Sequence, residues 1–102
     1  MTNKMPVLFV GHGSPMNAIE DNSFTKNWEK IAAHIPKPEA ILSVSAHWYT
    51  RGSKIMDTAS PRQIYDMYGF PDALYRLVYN AHGAPELAHA TKSLISKEVQ
   101  ID

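Results

Sequence analysis

Two short apolar runs on either side of a helix pattern constrain the fold of this 102-residue chain most strongly. Residues 7–10 and 40–45 have the apolar, β-prone character typical of parallel strands covered on both faces. Between them, a capping residue at Asp21 or Asn22 precedes apolar side chains at helical spacing. This stripe, which we expect to be buried, consists of Phe24, Trp28, Ile31 and Ile35. The sequence therefore predicts a strand-helix-strand unit with a right-handed connection.

The rest of the chain extends this prediction to an α/β fold with a partial, mostly parallel sheet and flanking helices. Residues 54–58 and 77–79 are candidate strands, and residues 99–102 resemble the beginning of another. A short helical turn is predicted from Pro71 and Asp72 through Tyr75, and a final helix from Pro85. Because a parallel strand at the end would ordinarily continue and be covered, we expect a truncated part of a larger single domain.

Composition excludes several classes of function. Ten basic and ten acidic side chains give a formal charge of zero, which argues against nucleic acid or an anionic membrane as a partner. No apolar stretch approaches the roughly 20 residues of a membrane span, and the N-terminus lacks the apolar core of a signal peptide, so we expect a cytoplasmic protein. The sequence contains no cysteine. Any metal must therefore be held by nitrogen and oxygen ligands.

Two histidines, His12 and His47, each follow one of the apolar runs. Side chains just beyond the carboxyl ends of neighbouring parallel strands converge on one crevice, so this repeated placement indicates a shared metal. Each histidine taken alone has an equally good interpretation as a hydrogen-bonded structural residue. Trp48, which follows His47, is predicted to fill the core rather than to shield a metal.

The residues around His12 favour a ligand-binding segment over other chemistries. Gly11 and Gly13 allow close approach of a ligand to the histidine between them. The segment lacks the third glycine of a dinucleotide site and the lysine of a phosphate loop. Ser14 does not lie in a Gly-x-Ser-x-Gly motif, which disfavours a hydrolase. A later stretch, residues 59–71, is rich in aromatic side chains that are expected to form a pocket wall or to pack against the sheet.

Three segments resemble signature blocks of the 4,5-DOPA extradiol dioxygenase family, a branch of the class III extradiol ring-cleavage dioxygenases. They are residues 6–18, Pro-Val-Leu-Phe-Val-Gly-His-Gly-Ser-Pro-Met-Asn-Ala; residues 45–48, Ser-Ala-His-Trp; and residues 64–71, Ile-Tyr-Asp-Met-Tyr-Gly-Phe-Pro. Residues 83–88, Gly-Ala-Pro-Glu-Leu-Ala, are similar to a fourth block. The resemblance identifies residues 1–102 as the N-terminal part of an extradiol dioxygenase catalytic domain.

This resemblance implies a mononuclear non-haem metal enzyme of aromatic compound metabolism that opens catechol-type, DOPA-like rings with dioxygen. It uses iron(II), and some relatives contain zinc(II). His12 matches the first metal ligand and His47 the second. A further ligand and an acid-base histidine are expected beyond Asp102, because family members supply them from their later half. Three other histidines are expected to be surface residues rather than substitutes: His34, His82 and His89.

The alternative hypothesis is a catalytically inactive fragment or remnant, with at most weak metal binding or a role in assembly with a partner. Two histidines alone hold a metal poorly, because three or four ligands usually define a site. This chain by itself is therefore predicted to be inactive, whichever hypothesis holds. Incomplete sheet edges would also favour self-association. A nonspecific α/β binding module would require the four matching segments to be coincidental.

Overall fold

The structure is a computed structural model that describes residues 4–102. It contains a 3₁₀ helix, Pro15–Ala18, and three α-helices: α1, Ser23–Ala33; α2, Asp72–Tyr75; and α3, Pro85–Ile95. The chain forms two compact units. The first comprises Met1–Ile41 and Met67–Leu77, and the second comprises Leu42–Asp66 and Val78–Asp102.

Helix α1 of the first unit begins where the sequence predicts it, because Asn22 satisfies its first amide groups. The side-chain oxygen of Asn22 accepts hydrogen bonds from the backbone nitrogens of Phe24 and Thr25 at 3.0 and 3.1 Å. The Thr25 hydroxyl accepts one from the Asn22 backbone nitrogen at 2.9 Å, which completes a capping box. Thr25 is buried as a result. The helix ends before His34, which is its C-terminal cap.

The expected burial of the α1 stripe is wrong. Trp28 and Ile35 are half-buried, whereas Phe24 and Ile31 are 63% and 45% exposed. Three of these side chains, Trp28, Ile31 and Ile35, line an open groove of about 270 Å³ together with residues 8–11. The helix therefore presents its apolar face towards a groove and not towards a packed layer.

The predicted partial parallel sheet is also wrong. Residues 4–102 form no β-strand, and sheet-like pairing is limited to one parallel bridge between Ser53 and Ile101. A strand is stabilised by backbone hydrogen bonds to a neighbour, and apolar character alone does not supply that neighbour. The first two predicted strands accordingly have no regular secondary structure and are uncovered: Val7, Phe9 and Val44 are 98%, 103% and 94% exposed.

The other predicted helices are confirmed. Helix α2 follows Pro71 and buries Leu74 in the first unit, and Tyr75 donates to the carbonyl oxygen of Met67 at 3.4 Å. Helix α3 begins at Pro85 in the second unit and buries Ala88. None of the helices found in residues 4–102 is long and apolar enough to cross a bilayer.

In the second unit, contacts join residues 53–63 to residues 79–102. Gln63 accepts from the backbone nitrogen of Tyr79 at 2.7 Å, and the Ala59 carbonyl accepts from Gly83 at 3.0 Å. Near the end of the chain, Asp102 donates to Ser53 at 2.9 Å and accepts from Ile55 at 3.0 Å. These contacts are nested: the earlier a residue lies in 53–63, the later its partner lies in 79–102.

Candidate metal-binding histidines

The first candidate ligand, His12, lies in an exposed turn that its neighbours shape. Gly13 has a φ of +66°, a conformation that side-chain-bearing residues rarely adopt. The chain then enters the 3₁₀ helix at Pro15, where the Ser14 hydroxyl accepts from the Met16 backbone nitrogen at 3.1 Å. The His12 ring donates from Nδ1 to the Gly13 carbonyl oxygen at 2.9 Å. This hydrogen bond makes Nε2 the nitrogen that would coordinate a metal.

Two asparagines, neither of which was predicted to do so, anchor the His12 turn. Asn17 donates to the His12 carbonyl oxygen at 2.8 Å. The Asn17 side-chain oxygen accepts from Asn22 at 2.8 Å, and Asn22 is the N-cap of α1. The position of Asn17 in the first signature-like segment, residues 6–18, was the available signal.

The second candidate ligand, His47, lies in a turn of the second unit. Its backbone nitrogen donates to the Ser45 hydroxyl at 3.1 Å, and the Trp48 nitrogen donates to the Ser45 carbonyl at 3.4 Å. The serine thus closes the turn that carries the histidine. Trp48 is 46% exposed, so the expectation that it fills the core is wrong.

The ring of His47 makes a short contact with Asp66. Nδ1 of His47 lies 2.7 Å from Oδ2 of Asp66, and both side chains are about half exposed. Sequence reasoning missed this aspartate, although it stands inside the third signature-like segment, residues 64–71. A carboxylate on one ring nitrogen of a histidine is the arrangement that commonly orients the other nitrogen towards a metal.

His12 belongs to the first unit and His47 to the second. Across residues 4–102, no group of three or more His, Asp or Glu side chains is arranged to hold a metal ion.

The three remaining histidines are exposed, as expected for surface residues. His34 donates from Nδ1 to the Lys30 carbonyl oxygen at 2.7 Å, which satisfies a carbonyl near the end of α1. His89 pairs with Asp57 through Nε2 at 3.2 Å. His82 lies just before Gly83, whose backbone nitrogen donates to Ala59.

The aromatic segment contains both exposed and partly packed rings. Tyr68 is 92% exposed and Tyr65 is 37% exposed, whereas Phe70 is half-buried. The Phe70 backbone nitrogen donates to the Tyr75 hydroxyl at 3.3 Å within the first unit. The segment therefore exposes aromatic surface at Tyr68.

Comparison with known proteins supplies the family. Residues 5–102 match the family described as the catalytic LigB subunit of aromatic ring-opening dioxygenase. The chain is 47% identical over 95 residues to 4,5-DOPA dioxygenase extradiol of Escherichia coli, covering 93% of this chain and 35% of that protein. It is 40% identical over 99 residues to the Beta vulgaris protein of the same name, covering 92% and 36%. It is 35% identical over 94 residues to dioxygenase tasH of Hapsidospora irregularis, covering 81% and 29%. The chain thus spans about a third of these curated relatives.

Proposed function

The chain belongs to the LigB family of aromatic ring-opening dioxygenases, and from this premise we propose that it is the N-terminal part of an extradiol dioxygenase catalytic domain. The enzyme opens catechol-type, DOPA-like rings with dioxygen. The family match along residues 5–102 carries this proposal, and the dioxygenase names of the relatives support the reaction class. We retain the cytoplasm as the proposed location on the grounds of composition.

His12 and His47 are the proposed metal ligands of this chain. Both rings fit the role chemically, because each directs Nδ1 to an oxygen atom, of Gly13 and Asp66 respectively. Nε2 of each ring is then the coordinating atom. Imidazole suits both iron(II) and zinc(II), of which we propose iron(II) for catalysis. The remaining ligand and the acid-base histidine are proposed to come from the part of the enzyme that corresponds to the other two thirds of the relatives.

When bound, the metal would supply a Lewis acid and a template for catechol and dioxygen. The contribution of this chain is to position two nitrogen donors before substrate arrives. Gly13 lets the backbone turn at His12 without strain, and its carbonyl oxygen orients the ring. Asn17 holds the backbone of the same turn. Prior positioning of this kind reduces the reorganisation needed to form a reactive complex.

A chimeric enzyme tests the proposal. Residues 1–102 replace the matching segment of the Escherichia coli relative, with which this chain is 47% identical. The purified chimera is loaded with iron(II) under anaerobic conditions and then mixed with L-DOPA and oxygen. We expect consumption of oxygen and formation of a yellow ring-opened product.

Three variants of the chimera separate ligands from other histidines. His12→Ala and His47→Ala each remove a proposed ligand, and we expect losses beyond the roughly 100-fold that changes in a ligand's surroundings cause. His34→Ala is the matched control, because the exposed side chain of His34 makes one hydrogen bond among those described, to the Lys30 carbonyl oxygen. Near-normal activity of either ligand variant at equal iron content would contradict its assignment. A folded, iron-loaded chimera without activity would favour the inactive-remnant hypothesis.

A further inference from the structure

The contact between His47 and Asp66 defines the hydrogen positions on the histidine ring. A carboxylate accepts hydrogen bonds and an imidazole nitrogen either donates or accepts. Because Nδ1 lies 2.7 Å from Asp66 Oδ2, Nδ1 carries the hydrogen. In the neutral ring, the lone pair is then on Nε2, the nitrogen on the opposite side.

Stability does not explain this contact. The two side chains are 54% and 45% exposed, and ion pairs at such positions contribute little to folding. The contact does constrain geometry, since it joins the turn at His47 to a residue that lies 19 positions later in the sequence. It fixes the direction in which the His47 ring presents Nε2.

A second histidine-aspartate pair in the same unit can be compared with His47 and Asp66. His89 and Asp57 form another exposed histidine-aspartate pair, with side chains 65% and 60% exposed. This pair uses Nε2 of the histidine and has a longer distance of 3.2 Å. The two pairs therefore share residue types and similar exposure but differ in the nitrogen that the carboxylate engages.

We propose that Asp66 is a positioning residue, which holds His47 as the Nδ1–H tautomer and orients Nε2 for metal coordination. The role in metal coordination rests on the proposed function. The tautomer of His47, in contrast, can be measured in the protein without metal. The hydrogen bond from His47 to Asp66 connects the second signature-like segment, residues 45–48, to the third, residues 64–71.

Long-range proton–nitrogen NMR correlations of the ¹⁵N-labelled chain test the proposal directly. They distinguish protonated from unprotonated ring nitrogens of each histidine in the neutral form. We expect His47 to be the Nδ1–H tautomer in the parent chain and to shift towards Nε2–H in Asp66→Ala. Asp66→Asn keeps the size of the side chain and removes its charge. Asp57→Asn is the matched control, and it should leave the His47 signals unchanged.

Titration of the same samples with Zn²⁺, followed through the His47 ring signals, provides the second readout. We expect binding at His47 to weaken by about 10- to 100-fold in Asp66→Ala and in Asp66→Asn, and to remain unchanged in Asp57→Asn. Backbone amide spectra verify that each variant keeps the fold of the parent.

The two readouts distinguish the inference from the proposed function. An unchanged His47 tautomer in a folded Asp66→Ala chain would overturn the positioning role. A tautomer shift together with weaker Zn²⁺ binding would support it. A tautomer shift in a protein whose His47 does not bind Zn²⁺ at all would also support the positioning of the ring, but would contradict the metal-ligand assignment under the proposed function.

Discussion

The side-chain nitrogen of Asn17 donates to the backbone carbonyl oxygen of His12 at 2.8 Å. Asn17 accepts in turn from Asn22, the residue that caps α1. The turn that carries a proposed metal ligand is therefore hydrogen-bonded through side chains to the beginning of a helix. Changes at that helix end should affect both structures.

Asn22→Ala is expected to destabilise α1 by about 1 kcal/mol, within the usual range for the loss of an N-cap. The substitution removes the acceptor for the Phe24 and Thr25 amides and the donor to Asn17. Thermal melting followed by far-UV circular dichroism measures the loss. Asn27→Ala, at an exposed position inside the same helix, is the control and should be neutral or slightly stabilising. Equal losses in both variants would contradict the capping role.

Gly83→Ala is expected to disrupt the second unit, because a Cβ atom at this position would clash with the carbonyl oxygen of Thr58. The overpacking cost is about 1–3 kcal/mol or more. Gly11→Ala is the control, since a Cβ there meets nothing within 4 Å. Urea unfolding monitored by circular dichroism compares the two. A Gly83→Ala protein as stable as Gly11→Ala would show that the close approach of the two segments is not required.

Self-association of this chain is expected from its exposed apolar side chains. Phe9 and Val44 are 103% and 94% exposed, and burying such a side chain contributes about 1.5–3 kcal/mol. Phe9→Ser or Val44→Ser should therefore weaken association by roughly tenfold or more in sedimentation equilibrium. Ser43→Thr, at an exposed polar position, should have no effect. Monomeric behaviour of the parent chain at high concentration would refute this expectation.

Ring cleavage by this chain alone is expected to be undetectable. The part of the chain described, residues 4–102, does not bring three metal-ligating side chains together, and fewer than three ligands leave a metal weakly held. The chain is assayed with iron(II), L-DOPA and oxygen beside the chimera, which serves as the positive control. Repeated turnover by the chain alone would contradict the conclusion that this chain supplies too few metal ligands for catalysis.

The helices were predictable because their signals are local. Asn22 and Thr25 form a capping box within four positions, and Pro85 has a ring geometry suited to the first turn of α3. The sheet was not predictable in this way. Residues 7–10 have the composition of a strand, but composition does not specify which backbone supplies the hydrogen bonds. These residues form no β-ladder in the structure.

The candidate site likewise contains residues that the sequence indicates and residues that it does not. His12 and His47 stand out because each follows an apolar run, and the family that their flanking segments resemble is confirmed. Asp66 did not stand out, because its contact with His47 spans 19 positions and follows no helical or strand period. Asn17 was missed because its contribution is a hydrogen bond to a backbone atom, which residue type alone does not reveal.

The nested contacts of the second unit have a consequence for the order in which that unit assembles. Joining Ser53 to Asp102 directly would close a long loop, at an entropic cost of roughly 3–4 kcal/mol. The two backbone hydrogen bonds that Asp102 makes, with Ser53 and Ile55, contribute only about 1 kcal/mol each. Earlier formation of the Gln63–Tyr79 and Ala59–Gly83 contacts shortens the loop that remains to be closed. The outer pairing therefore depends on the inner ones. In native-state hydrogen exchange, Gln63→Ala should accelerate exchange at the amides of Ile55 and Asp102, although neither residue touches the substituted side chain among the contacts described.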